Sequence, residues 1–319
     1  MNVVFIGASR FGLRCLELAC RTPGCAVAGV VTAPQTFAIS YRPEGVTNVL
    51  YADVASFAAD RGLPFRTLVR SMGEPGLLDA VAAWKPDAFL VAGWYHMIPK
   101  AWRELAPAYG LHASLLPDYS GGAPLVWAII NGECRTGITL FQMDDGVDTG
   151  PIIGQAEETI EDRDTIATLY ARIEERGLAL LREALPRLAA GTAVLRAQPL
   201  TGRRVMPQRS PEDGWIDWTK DSRFIDRFVR AQTRPYPGAY AMRAGERMAV
   251  WMARGIDGEP SPLPAGSITH HEGKCSVVCG KGVLQLEEIE INGELFVGDE
   301  IPGKLPHGAV LESPAKVAP

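Results

Sequence analysis

Apolar residues in the first half of the chain fall into short unbroken runs separated by stretches of helical period. NVVFIG, CAVAGVVT, PFRTL, DAFLVAGWY, a run ending at His112 and GITLFQM are continuous rather than alternating, as in strands covered on both faces. Between them FGLRCLELAC, Leu77–Trp84, a short segment from Pro99 and Val126–Asn131 repeat apolar positions every three or four residues, which predicts helices. The first 60 residues thus read strand, helix, strand, loop, helix. Such alternation predicts an α/β fold with a doubly wound, mainly parallel, Rossmann-like sheet. PIIGQAEETI reads as an extended segment. Asp164–Ala190 reads as a long helix, with capping side chains in Asp162-Arg-Asp-Thr and Gly191 as its stop.

After residue 192 the helical period fades into TAVLRAQPLTGRRVMPQRS, polar and basic, as expected of a linker. A new texture follows PEDGWIDW: a helix over Ser222–Ala231, then Arg-Pro-Tyr-Pro-Gly, then AYAMR, MAVWMARG, CSVVCG and VLQLEEIEI. Short alternating strands with frequent glycine turns predict a small β-barrel. The expected division is therefore residues 1–200, a linker at 201–210, and a barrel domain at 211–319. The last ~20 residues, rich in Pro and Gly, are expected to be loosely ordered.

Length and composition fit this picture: 319 residues can hold two modest cores, and 47% hydrophobic with 22% charged residues is ordinary for a globular protein. No apolar run approaches the ~18 residues of a membrane span, and the opening MNVVFIGASRFG reads as a strand and turn rather than a signal peptide. A cytoplasmic location with reduced thiols is expected, without membrane association. Net charge is −5 with a pI near 5.7, which argues against nucleic acid as the main partner but leaves room for a local basic patch. Cys275 and Cys279, with His270 and His271 nearby, admit a metal reading. Buried thiols on an alternating strand are the simpler one, and no metal is expected. Gly7 and Gly12 bracket the first turn, but the full Gly-x-Gly-x-x-Gly spacing is missing and Thr32 stands where a dinucleotide site needs an acid.

Candidate chemistry concentrates between Gly110 and Gly150. His112 and Asp148 each follow a predicted strand, where ligands of a doubly wound sheet bind, and a paired imidazole and carboxylate can hold and move a proton. A core histidine and a turn-capping aspartate remain the plainer alternative. The surrounding words are His-x-Ser-Leu-Leu-Pro, Gly-Ala-Pro, Thr-Gly-Ile-Thr and Asp-x-Gly-x-Asp-Thr-Gly. In that order they resemble the folate-dependent formyltransferases, a group that includes methionyl-tRNA formyltransferase and the sugar-nucleotide N-formyltransferases. The resemblance runs from the first strand to about residue 295 and is densest over residues 87–155.

The resemblance implies an oligonucleotide-binding-type barrel at the C-terminus, 10-formyltetrahydrofolate as co-substrate, and catalytic roles for His112 and Asp148. It also implies two folate loops, one carrying Trp94, Tyr95, His96, Met97 and Ile98 (His96 at the rim), the other Met143, Asp144, Asp145 and Val147. One catalytic position departs from the family: Gly110 stands where an asparagine is usual, and a water filling the space with activity retained is the expectation.

For the acceptor, the segment TAPQTFAISYRPEGV lacks the basic insertion of tRNA formylating enzymes, and Ser120 stands where they usually carry arginine. A small amine, an amino sugar on a nucleotide, is therefore favoured. Ser114, Gly122, Ala123, Pro124 and Arg209 are its expected contacts, with Arg203 and Arg204 as further candidates for a diphosphate or as merely solvated linker residues. Methionyl-tRNA formylation and folate binding without turnover stay open as alternatives, and so does oligomeric state, a homodimer included.

Overall fold

In the computed structural model, which describes residues 1–39, 42–199 and 201–314, the apolar runs of the first half become one seven-stranded sheet. The elements that build it are β1 (Asn2–Ile6), α1 (Arg10–Arg21), β2 (Ala26–Thr32), a hairpin of β3 (Thr36–Ile39) and β4 (Arg42–Thr47), α2 (Val54–Asp60) and β5 (Phe65–Thr67). They continue with α3 (Leu77–Ala82), β6 (Ala88–Val91), α4 (Lys100–Leu105), β7 (Ala108–His112), the short β8 (Ser120–Gly121), α5 (Pro124–Asn131), β9 (Arg135–Gln142), β10 (Ile152–Thr159), α6 (Ile166–Ala189) and β11 (Val205–Met206). The strand order is β10-β9-β7-β6-β1-β2-β5. Pairings from β5 through β7 are parallel, while β7 and β9 run antiparallel.

The order places β2 and β5 on one side of β1, and β6 and β7 on the other. The strand order therefore reverses between β1 and β6, the place where a crevice opens beyond the carboxyl ends of a doubly wound sheet. Gly7 and Gly12 explain themselves there: a Cβ on either would collide with the carbonyl oxygen of Ala92 at the end of β6. These glycines let the first turn pack closely, which is a structural duty.

The chain divides into two compact units. Met1–Gly121, Thr136–Glu158 and Ala171–Met206 form the first; Gly122–Arg135, Thr159–Tyr170 and Pro207 onward form the second. The first has Val4, Ile6, Phe89, Val91 and Trp102 in its core. In the second, α7 (Ser222–Gln232) precedes β12 (Ala239–Arg243), β13 (Glu246–Ile256), β14 (Ile268–His271), β15 (Lys274–Val278), β16 (Val283–Ile291) and β17 (Glu294–Val297). These strands make an antiparallel sheet in the order β12-β13-β16-β15-β14, with β17 beside β16. Its core holds Ile216, Trp218, Val229, Val250, Leu284 and Ile289.

Several expectations need correction. The expected loop after β2 contains the β3–β4 hairpin, which buries Phe37. The strand expected over DAFLVAGWY stops at Val91, because Gly93 turns left-handed (φ +61) and a Cβ there would strike Ser9 Oγ. The expected linker is largely built in: Arg196 pairs with Ile152, and β11 pairs in parallel with β8. The expected loose tail is ordered through residue 314. Ile301, Leu305 and Leu311 are buried, and the backbone of Ala309–Glu312 bonds to Ile268 and Gly266 beside β14 and to Met242 in β12. That segment joins the two edge strands and closes the sheet. Residues 315–319, also expected to be loose, lie outside the described residues. Among the described residues no helix is long and apolar enough to cross a membrane.

Candidate active site

The site starts at the end of β7, where Gly110 lies opposite Phe141 and His112 opposite Thr139 of β9. The Ser-Leu-Leu-Pro turn that follows is braced from β9. Thr139 Oγ1 donates to the Ser114 carbonyl (2.7 Å) and accepts from the Leu116 N–H (3.1 Å), while Gln155 Nε2 donates to the Leu116 carbonyl (2.8 Å). The threonine of Thr-Gly-Ile-Thr is thus a scaffold for the turn, and Gly137 is required because a Cβ would meet the Ala156 carbonyl. Ser114, expected to touch the acceptor, is 1% exposed and donates its hydroxyl to the Asp118 carbonyl (2.7 Å), so it braces the same turn from inside.

His112 and Asp148 meet. Nδ1 of the imidazole lies 3.6 Å from Asp148 Oδ2, and Nε2 lies 2.8 Å from the Tyr119 carbonyl oxygen. A carbonyl only accepts, so Nε2 carries the hydrogen and Nδ1 is the position that faces the carboxylate. Asp148 adopts a left-handed backbone (φ +53), and its Oδ2 accepts the Gly121 N–H at 2.8 Å. Both side chains retain some exposure, 12% and 21%, so a bound molecule can reach them. Asp144 caps the loop between by accepting from Gly146 N–H (3.0 Å) and Thr149 Oγ1 (2.6 Å). Asp145 is ion-paired with Arg103 at 2.6 Å, and that hydrogen bond holds its carboxyl below the usual range; Val147 is exposed.

Gly110 has a physical explanation that differs from the expected water. A Cβ at this position would fall on the Met143 side chain, whose Cε fills the space where the family's asparagine would begin. Met143 is tied into the site by its N–H, which donates to the Ala108 carbonyl at 2.7 Å. The vacated volume is therefore occupied by a thioether methyl.

The loop beyond β6 carries the other expected ligand contacts. Trp94 and His96 are partly buried with their rings tilted against each other at 5.3 Å, His96 also lies 5.4 Å from Phe37, and Phe37 lies 5.4 Å from Tyr95. Met97 is exposed, whereas Ile98 is buried and packs in the core. Among the described residues Trp94 Nε1 and His96 Nε2 are buried without a hydrogen-bond partner, which leaves both nitrogens for the polar edge of a ligand. Desolvation pulls the His96 pKa below its ordinary value, partly opposed by Glu74. His96 is half-buried, as a rim position allows. Two residues here escaped the sequence reading: Phe37, and Asn48, whose Oδ1 accepts from Tyr95 Oη at 3.0 Å. Neither sits in a periodic segment that would have marked it.

Residues 1–185 match the formyl transferase family, and residues 209–296 match the formyl transferase C-terminal domain. The chain belongs to the formyl transferase family. Among solved structures, this formyl transferase is similar to HypX from Aquifex aeolicus in complex with tetrahydrofolic acid, with a TM-score of 0.60 and 17% identity, covering 95% of this chain and 47% of HypX. It thus spans about half the length of that protein. It is also similar to the N-formyltransferase from Helicobacter canadensis in complex with folinic acid and dTDP-3-aminofucose (TM-score 0.63, 17% identity, 90% of this chain and 98% of that one). A third is a sugar N-formyltransferase from Shewanella (0.62, 18%, 77% and 95%).

The remaining expected site residues of this formyl transferase belong to the second unit. Pro124 opens α5, Ala123 is its left-handed N-cap (φ +45), and Gly122 is buried with room for no Cβ beside Gln208. The Arg209 guanidinium lies 4.7 Å over Trp127 and 5.6 Å from Phe228, and donates to Gln232 Oε1 (2.7 Å) and the Asp213 carbonyl (2.8 Å). Burial pulls its pKa down. Of the other linker arginines, Arg203 is half-buried, and Arg204 is paired with Asp118 in the first unit. Cys275 and Cys279 are buried in the sheet, where desolvation pushes the thiols up to about 11 and about 12. Among the described residues no group of three or more His, Cys, Asp or Glu side chains is placed to hold a metal ion.

Proposed function

We propose that this formyl transferase moves the formyl group of 10-formyltetrahydrofolate to the amine of a small acceptor, an amino sugar carried on a nucleotide. The observation that carries the reading is the His112–Asp148 pair, 3.6 Å apart, whose histidine ends the strand directly beside the one that feeds the Trp94–His96 loop. A pterin is a flat heteroaromatic with donors and acceptors along its edge. The two unpartnered nitrogens of Trp94 and His96, set among aromatic rings, are groups such an edge would satisfy. The Helicobacter canadensis and Aquifex aeolicus relatives, bound to folinic acid and to tetrahydrofolic acid, support the same class of ligand.

When bound, the folate supplies an electrophilic formyl carbon. The protein's part is proton handling: as the acceptor nitrogen bonds to the formyl carbon and the folate N10–carbon bond breaks, the amine sheds a proton that the pair of Asp148 Oδ2 and His112 Nδ1 can take and return to the departing N10. The Tyr119 carbonyl anchors Nε2 and keeps the ring in one orientation, and the Gly121 N–H fixes Oδ2. For the acceptor, the dTDP-3-aminofucose of the Helicobacter canadensis relative, the net charge of −5, and Ser120 in place of arginine all favour a nucleotide sugar over tRNA.

One observation favours a second reading. Met143 fills the position of the missing asparagine, and loss of one such donor typically costs about 10²- to 10³-fold in rate, which would suit a protein that binds formyl-folate without turning it over. The test is a titration with 10-formyltetrahydrofolate and a panel of nucleotide amino sugars, read by thermal shift, followed by mass analysis for formylated product. Saturation at 100 times Kd should stabilise the fold by about 2.7 kcal/mol. Folate binding with one nucleotide sugar formylated supports the proposal. Folate binding with no product on any amine selects the second reading, and product on tRNA that falls steeply with salt overturns the acceptor.

A further inference from the structure

The segment from Arg196 to Met206, expected to be a free linker, holds both members of the candidate catalytic pair in place. We propose that Gln198 and Arg204 are positioning residues for Asp148 and His112, an inference that rests on the proposed role of that pair. Gln198 is 9% exposed, and its Nε2 donates to the carbonyls of Asp148 (3.0 Å) and Gly150 (2.6 Å). Two carbonyl acceptors can be met only by the amide nitrogen, so the orientation is fixed, and among the described residues Oε1 is left buried without a partner. The chain tolerates an orphaned acceptor here because the other end of the amide clasps the loop on both sides of Thr149 and holds Asp148 at φ +53.

Arg204 acts on the other arm. Its guanidinium forks onto the Asp118 carboxylate, Nε at 2.7 Å and Nη2 to the second oxygen, and lies 4.3 Å over the Tyr119 ring. Tyr119 is held left-handed (φ +53), and its carbonyl is the acceptor for His112 Nε2. The backbone makes the connection continuous: the Arg204 carbonyl accepts the Ser120 N–H at 3.2 Å, and the β11–β8 pairing sets Gly121, whose N–H fixes Asp148 Oδ2. The amide of Gln198 and the guanidinium of Arg204 each act on the pair through backbone groups, which is why they position rather than react.

The experiment uses the full chain with Gln198→Ala, Arg204→Ala and Arg204→Lys. Turnover should fall by about 10- to 100-fold in kcat at nearly constant folate KM for both alanine variants, as expected when reacting groups are misplaced. Lysine at 204 should restore only part, since it keeps the charge and loses the fork. A readout independent of turnover is the ¹⁵N spectrum of the ring nitrogens. With 5 histidines in the chain, His112 is assignable from its own variant, and its Nε2–H form should weaken in Arg204→Ala while Nδ1 shifts in Gln198→Ala. Unchanged kcat and unchanged His112 ring signals in both alanine variants would overturn the inference. A wild-type protein without turnover would sink the proposed function instead, and the ring spectra alone would then decide this one.

Discussion

The same backbone state serves two different purposes in the two units. In the second unit, Ala244, Glu272 and Asn292 are left-handed, and each is followed by a left-handed glycine: Gly245, Gly273 and Gly293. Each pair joins two hydrogen-bonded strands with a two-residue loop, as the partners Arg243–Glu246, His271–Lys274 and Ile291–Glu294 show. Positive φ at both central residues matches the twist of a hairpin, so the local ladder offsets the conformational cost. In the first unit, Tyr119 and Asp148 are left-handed without any hairpin to require it. Their conformations are held from far along the chain, by Arg204 and Gln198, and both residues sit on the His112–Asp148 pair. Strain held by remote contacts around reactive side chains marks a site, whereas strain closed within four residues marks a turn.

Breaking each case should separate them. The largest effect is expected for Asp148→Gly, which removes the carboxylate while making the left-handed backbone easy. Turnover should fall by about 10²- to 10⁴-fold while the melting temperature stays within a few degrees. Next is Gly110→Asn. Its side chain would displace the flexible end of Met143, so urea unfolding should show a loss of about 1 kcal/mol, and adding Met143→Ala should recover part of it. Gly293→Ala should cost about 1 kcal/mol in the same measurement, through the strained hairpin, with turnover unchanged.

The smallest effect is a pH dependence. The hydrogen bond from Arg204 holds the Asp118 carboxyl below its ordinary value. A depressed carboxyl adds stability above its unfolded pKa of ~3.9 and loses it as pH falls through the lower folded value. The pair is well exposed, so Arg204→Ala should be less stable than wild type by at most about 1 kcal/mol near pH 7, and the gap should close only below pH ~3.9.

How far the chain could be read follows the same division. Alternating apolar strands and helices placed β1, α1, β2, β6, β7 and β9, because each buries its residues locally and repeats a simple period. The Ser-Leu-Leu-Pro and Thr-Gly-Ile-Thr words singled out His112 and Asp148 within one stretch of chain. What stayed hidden depends on contacts without local pattern. Gln198 reaches Asp148 across 50 positions and Arg204 reaches Asp118 across 86, inside a segment whose polarity reads as linker. Phe37 packs on the Trp94–His96 loop from a hairpin that has no alternating signal, and Met143 fills the space beside Gly110 because strand β9 happens to deliver it there. Sequence period reports burial on an element. It is silent on which distant side chain closes a gap.

The central claim is that His112 and Asp148 together move the proton in formyl transfer. Turnover of 10-formyltetrahydrofolate with the acceptor identified from the panel, measured for wild type and His112→Ala under the same conditions, tests it most directly. A loss of about 10²- to 10⁴-fold in kcat, with folate still bound by the variant, is the expected result. Equal rates in the two proteins would contradict the account.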